Sequence, residues 1–256
     1  MKILVIQLAR LGDIYLSWPT LRALHRQFPE AKIDLIVRKT YQAATEGLGG
    51  IHRVLAMDSQ SILEPLIRAE VDVAESVDRM TSWLEILRRQ DYDRVINLSF
   101  SPLSSFITHY LSSEKTVASG YSRHADGTFY PIDDVSAYFY AQVGPEKSNR
   151  IHLTTIFAGV AGVELEGNDW NFDFSNFIKS QKNCDRINKD KSSILIHIGG
   201  SQVEKSLAPG KWANVILRML ERTQSQFILM GDERESQIGS EVESIVANSD
   251  RVINLV

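Results

Sequence analysis

Residues 1 to 29 read MKILVIQLARLGDIYLSWPTLRALHRQFP, and this stretch decides the fold. Ile3, Leu4, Val5 and Ile6 form an unbroken apolar run, the pattern of a central parallel strand covered on both faces. Gly12 and Asp13 then close the loop Leu8-Ala9-Arg10-Leu11. Leu21, Leu24 and Phe28 recur at helical spacing beyond Pro19, a residue suited to the first turn of a helix. In open α/β sheets ligands sit beyond the carboxyl ends of such strands, which puts Arg10, Gly12 and Asp13 where chemistry is usually done.

The same rhythm continues outward. Lys32 to Val37 (KIDLIV), Arg53 to Met57 (RVLAM) and Arg94 to Leu98 (RVINL) read as further strands, and the β-α-β alternation implies a parallel sheet. Between Asp58 and Asp78 the chain is acidic, which reads as a solvated helix face or a segment near a substrate, and Met80 to Gln90 reads as a helix. Ser99 to Ser105 is a polar turn opening a helix through Leu111; its hydroxyls suit capping or the holding of an anion or sugar hydroxyl. From Thr116 the pattern is less regular and rich in aromatics, with Arg123, His124 and Asp126 among them. Such a region either packs its rings under a long loop or lines an acceptor cleft. Asn149 to Ala161 reads as an amphipathic helix ending at Gly162, and Asn176 to Lys191 is the best linker candidate.

A second start follows. Ser193 to Ile198 (SILIHI) reads as an apolar strand, with His197 a hydrogen-bonded core residue, and Gly199-Gly200-Ser201-Gln202-Val203-Glu204-Lys205 as a glycine turn ending in a cation. Pro209 to Arg222 reads as a helix with Trp212, Val215, Ile216 and Met219 on one face. Gln226 to Met230, Glu233 to Ala247 and Val252 to Leu255 read as strand, helix and strand. The expected fold is α/β with two Rossmann-like domains and parallel sheets, over residues 1–175 and 190–256, the second with few strands and incomplete.

Composition narrows the function. The 256 residues carry a net charge of −4 with no long basic run, so no electrostatic case for nucleic acid exists. The single cysteine, Cys184, excludes an intramolecular disulfide and fits a reducing, cytoplasmic setting. The start lacks the pattern of a signal peptide, and no stretch reaches the ~18 apolar residues of a membrane span. The six histidines show no paired ligand spacing, and no G-x-S-x-G elbow occurs, so metal, cofactor and serine-hydrolase readings find no support.

Neither glycine turn is a GxGxxG or Walker A sequence. Their physics still suits phosphate: Gly199 and Gly200 let the backbone approach a ligand, the following helix dipole attracts anions, and Lys205 adds a full charge. A plain strand-to-helix turn with a surface lysine is the bland alternative. Asp13 likewise reads either as a helix N-cap or as a general base, ionised at neutral pH and able to take a proton from an attacking sugar hydroxyl.

The run ILVIQLARLGDIYLSWPTLRALHRQFPEAKID resembles the opening of the ADP-heptose:lipopolysaccharide heptosyltransferases, glycosyltransferase family 9. The later run ILIHIGGSQVEKSLAPGKWANVI is similar to the start of that family's second domain, its H-x-G-x-S-x-x-x-K arrangement matched by His197, Gly199, Ser201 and Lys205. The resemblance implies a GT-B fold with the active site between two domains, and metal-independent, inverting transfer of a heptose from ADP-heptose to a lipopolysaccharide core or similar glycolipid or oligosaccharide acceptor. By that resemblance Asp13 is the base. Gly12, Gly199, Gly200, Ser201, Lys205 and Glu233 lie on the donor side, and Arg10 on the acceptor side. Contact with the cytoplasmic face of the inner membrane fits a lipid-linked acceptor, although no basic amphipathic helix announces it. Nothing in the sequence bears on oligomeric state.

Departures from the family pattern shape a further expectation. Leu207 stands where the family often has an aromatic, Arg10 is unusual in the first turn, and the later D-[ST]-G-x-x-H donor motif has no counterpart before Val256. The chain is therefore expected to be truncated at its carboxyl end and to transfer little sugar alone. The rival expectation is a non-catalytic paralogue that binds a nucleotide, a glycan or a partner chain. An unrelated two-domain nucleotide-binding protein is a third, and requires the His197 to Lys205 match to be accidental.

Overall fold

In the computed structural model, which describes residues 1–171, 184–200, 205–247 and 249–256, the opening apolar run is strand β1 (Lys2–Ile6). The chain divides into two units, Met1–Phe177 and Ile178–Val256. In the first, β1 is followed by α1 (Leu11–Gln27), β2 (Lys32–Arg38), β3 (Arg53–Met57), α2 (Ser59–Leu63), α3 (Val73–Arg88), β4 (Arg94–Asn97), α4 (Pro102–Leu111) and β5 (Val117–Ser119). Then come β6 (Tyr121–Arg123), β7 (Phe129–Pro131), α5 (Asp134–Gln142) and α6 (Leu153–Ala161). Five parallel strands run in the order β3-β2-β1-β4-β5, while β6 and β7 form a separate antiparallel pair.

Alternation along the strands builds the core on both sides of this sheet. Ile3 and Val5 of β1, with Ile33, Leu35 and Val37 of β2, pack against Trp18, Leu21 and Leu24 of α1 and Ile156 and Phe157 of α6. Leu4, Ile6 and Ile36 point the other way, toward Leu87 of α3 and Ile107 and Leu111 of α4. A continuous apolar run is therefore required in β1, because every residue from Ile3 to Ile6 is fully buried.

Several boundaries differ from the sequence reading. Helix α1 begins at Leu11, so Pro19 lies in its interior and not in its first turn. The start is set by Asp13, whose carboxylate accepts the Arg10 N–H at 3.0 Å, and the tertiary packing of the buried Pro19 outweighs its missing donor. Helix α3 starts at Val73 rather than Met80, capped by Asp72, whose side chain accepts the Glu75 N–H at 2.8 Å. The acids around it are a solvated face: Glu64 and Glu75 both pair with Arg68 and Arg79. Helix α6 starts four residues later than Asn149 and ends, as expected, at Gly162, which takes φ +66°. The region after Thr116 holds a strand and a hairpin too short for alternation to reveal.

In the second unit β8 (Ser193–His197), α7 (Pro209–Arg222), β9 (Gln226–Met230), α8 (Ser236–Ile245) and β10 (Val252–Asn254) give a parallel sheet of order β10-β9-β8. That order repeats β3-β2-β1 of the first unit. Ile196, Phe227, Leu229 and Val252 pack on Ala213 and Ile216 of α7 and Val242 of α8. Three readings need correction. His197 is exposed rather than a core residue, and Leu195 beside it is 64% exposed, because among the described residues the core packs on the Ile194, Ile196 and Ile198 side of β8. Val215 is also exposed, and Ala213 takes the inward place instead. Glu233 to Ala247 is a 3-10 turn, Glu233–Glu235, followed by α8. Half of the expected linker, up to residue 183, lies outside the described residues. Before it, Arg26 of α1 holds Glu166 at 2.6 Å and Asp169 at 3.0 Å, which ties residues 164–170 to the first unit. Among the described residues no helix is long and apolar enough to cross a membrane.

Candidate functional site

The chain leaves β1 toward β2 and β3 on one side, then returns to place β4 and β5 on the other. The loops after β1 and β4 therefore diverge, and a crevice opens at the carboxyl ends of these two neighbours. Polar side chains buried beneath it lock the two loops together. The Ser99 hydroxyl accepts the Leu8 N–H and donates to Gln7 Oε1 at 3.0 Å. Gln7 Oε1 also accepts the Ala9 N–H at 3.3 Å, and its Nε2 donates to the Asp13 carbonyl at 3.4 Å. Asn97 accepts the Ser99 N–H at 3.0 Å and donates to the Tyr121 carbonyl at 3.0 Å. Gln7, Asn97 and Ser99 are at most 2% exposed.

Above this layer lie the three residues expected there. Arg10 is the exposed N-cap of α1, Gly12 its second residue and Asp13 its third. Asp13 is thus not itself the N-cap; it bonds backward to the Arg10 N–H while remaining partly exposed. The serines of the neighbouring loop cap α4 and one another: Ser101 Oγ accepts the Ser104 N–H at 3.1 Å, and Ser104 Oγ donates to the Ser99 carbonyl at 2.8 Å. Between them Phe100 stands 48% exposed, its ring 4.8 Å from Tyr121, 5.0 Å from Tyr140 and 5.4 Å from Phe129.

In the second unit the glycine turn follows β8. A Cβ on Gly199 would fall 2.6 Å from Glu235 Oε1, and one on Gly200 would fall 3.0 Å from Ser206 Oγ and 3.2 Å from the Lys205 Cβ. Gly199, Gly200 and Lys205 therefore come together, with Lys205 exposed. Helix α7 begins beyond them at Pro209, and the Ala208 carbonyl accepts the Lys211 N–H at 2.9 Å. Ser201 lies outside the described residues. Glu233 is exposed at the start of its 3-10 turn, and the acid that meets the glycines is Glu235, 9% exposed, whose Oε2 accepts the Asp232 N–H at 2.7 Å. Among the described residues no group of three or more His, Cys, Asp or Glu is placed to hold a metal ion.

Sequence reasoning missed Gln7 and Glu235, and read Ser99 as part of a polar turn rather than as the joint between two loops. For Gln7 a signal existed, a polar residue directly after a buried strand. Glu235 gave none, since it sits among Asp232, Glu233 and Arg234 with nothing to mark it as the buried member. A shifted carboxyl does not by itself mark the site. Burial raises Asp34, but hydrogen bonds from Arg53, then His52 and Tyr92, outweigh it and hold the carboxyl below its usual range. This cluster lies at the amino ends of β3 and β4, the opposite end of the sheet from the crevice.

Compared by sequence, the chain matches no protein-family model and no curated protein. Solved structures do match in fold. The Escherichia coli heptosyltransferase WaaC with ADP-2-deoxy-2-fluoro heptose aligns at TM-score 0.64 and 15% identity, over 100% of this chain and 76% of that one. The Escherichia coli ADP-heptose lipopolysaccharide heptosyltransferase II aligns at 0.61 and 14%, over 100% and 72%. A glycosyltransferase of family 9 from Veillonella parvula aligns at 0.62 and 17%, over 99% and 68%. The resemblance carried by the two glycine turns thus holds for the fold. The fold class is the expected one, α/β of GT-B type with two parallel Rossmann-like units, five strands in the first parallel sheet and three described in the second.

Proposed function

We propose that the chain is a nucleotide-sugar glycosyltransferase which passes a heptose or related sugar from an ADP-sugar to a glycan acceptor in the cytoplasm, with inversion and without a metal. The observation that carries this reading is the place of Asp13: a partly exposed carboxylate at the sheet's switch point, in the first turn of α1, where Gln7, itself bonded to Ser99, holds its carbonyl. In that role Asp13 accepts the proton of the acceptor hydroxyl as its oxygen attacks the anomeric carbon, while the bond to the diphosphate breaks. Arg10, beside it and exposed, orients the acceptor.

The second unit supplies what the leaving group needs. The dipole of α7, the Gly199, Gly200 and Ser201 backbone and the Lys205 ammonium offset charge that grows on the departing ADP. Gly12 belongs to the donor side as well. An acid following the second strand of a Rossmann-like sheet is suited to ribose hydroxyls. Glu235, against Gly199, fits that place by its burial, and Glu233 stays exposed beside it.

The test is turnover of ADP-heptose with a heptose-free lipopolysaccharide core oligosaccharide. Asp13→Asn should lower kcat by at least about 100-fold, the range of a lost general base, with ADP affinity and folding retained. Lys205→Ala should chiefly weaken ADP binding. Unchanged turnover in Asp13→Asn sinks the assignment.

A further inference from the structure

We infer that Phe100, with Tyr140 beside it, is a stacking platform for a pyranose ring of the acceptor; the inference rests on the glycosyltransferase reading and extends it to the side chain that selects the acceptor. Phe100 is the residue after Ser99, whose hydroxyl is bonded to the Leu8 N–H and to Gln7. The loop that presents the ring is thereby stitched to the loop that presents Asp13. Phe100 has three aromatic neighbours within 5.4 Å, yet 48% of it stays exposed, as does 52% of Tyr140. Tyr121, fully buried, backs Phe100, and Phe129 backs both rings, 5.3 Å from Tyr140 and stacked on Tyr121 at 5.5 Å.

This chemistry suits a sugar. A pyranose ring has a face of C–H groups that lies flat on an aromatic ring, while its hydroxyls project sideways to polar loops. Phe100 supplies such a face at the edge of the crevice. Its backing rings hold it before any ligand arrives, so little ordering entropy opposes stacking. Arg123 closes the far side: its guanidinium lies 4.2 Å from the Phe106 ring and is held by the Ser105 hydroxyl at 3.0 Å and the Gly127 carbonyl at 2.7 Å. Two of its N–H groups are thereby turned to the protein, and Phe100 itself offers a ligand only the face of its ring. A neutral pyranose is the ligand it fits.

The probes are methyl α-D-mannopyranoside and methyl β-D-glucopyranoside at millimolar concentration, with saturation-transfer NMR from the aromatic protons of the full chain. At least one should receive saturation on one ring face. Phe100→Ala should weaken that binding roughly tenfold, Phe100→Trp should keep it, and Phe106→Ala, an exposed ring on the far side of Arg123, should leave it intact. Undiminished transfer in Phe100→Ala, transfer from neither glycoside, or a Phe100 response to adenosine alone overturns the proposal. No donor or turnover enters this measurement, so it stands or falls apart from the Asp13 assignment.

Discussion

Gly12 sits at the second position of α1 without a positive φ, and a methyl group placed on it would meet no atom within 4 Å. Neither backbone conformation nor packing asks for glycine there. Gly120 makes the contrast: it takes φ +95°, and a Cβ would fall 2.1 Å from the Asn97 carbonyl oxygen, so its own fold demands it. In the proposed reaction Gly12 keeps the helix start bare so that the donor can approach. Gly12→Ala should therefore raise stability by roughly 0.5 kcal/mol, since alanine is the better helix former, while weakening ADP-sugar binding by about tenfold. Thermal melts and donor titration read the two effects separately. A variant that melts later and binds donor normally would make Gly12 a bystander.

At the scale of elements, the decisive joint is the one between the ends of β1 and β4. Ser99→Ala would leave the Leu8 N–H and Gln7 Oε1 short of a buried partner, a loss of about 2 kcal/mol. Urea unfolding should show that loss, and kcat should fall as the Asp13 loop loosens; full activity at reduced stability would separate the joint from the chemistry. Long apolar runs made these elements legible in the sequence: β1, β2 and β9 were readable because four or five consecutive residues of each are buried. Helix α7 announced itself through Pro209 and its amphipathic face. The start of α1 did not, because a three-residue capping bond from Asp13 decides it and Pro19 argues for a later start. The pairing of β6 with β7, three residues each, is fixed by tertiary contacts that no local period reports.

Across the whole molecule, global stability and site chemistry draw on different ends of the first sheet. Asp34 is 2% exposed and bonded to Arg53, His52 at 3.0 Å and the Tyr92 hydroxyl at 2.7 Å. Its carboxyl is held below the value of an unfolded chain, so its contribution is complete above about pH 4 and is lost as the pH falls through the depressed folded value. Asp34→Asn should cost about 2 kcal/mol at pH 7, less than a fully buried ion pair because Arg53 is 41% exposed, and the gap to the unaltered protein should close under acid. Chemical denaturation at pH 7 and pH 3 checks both halves; a gap that widened under acid would reverse the sign. Donor and acceptor affinities should not move.

The Leu8 amide and Ser99 hydroxyl also restrict how such a protein can be re-engineered. A designer who wished to change the accepted glycan by grafting a foreign segment after β4 would sever the stitch that holds the segment after β1. The two segments are one inheritable cassette, and a transplant that carries both, Gln7 included, is the exchange the architecture tolerates.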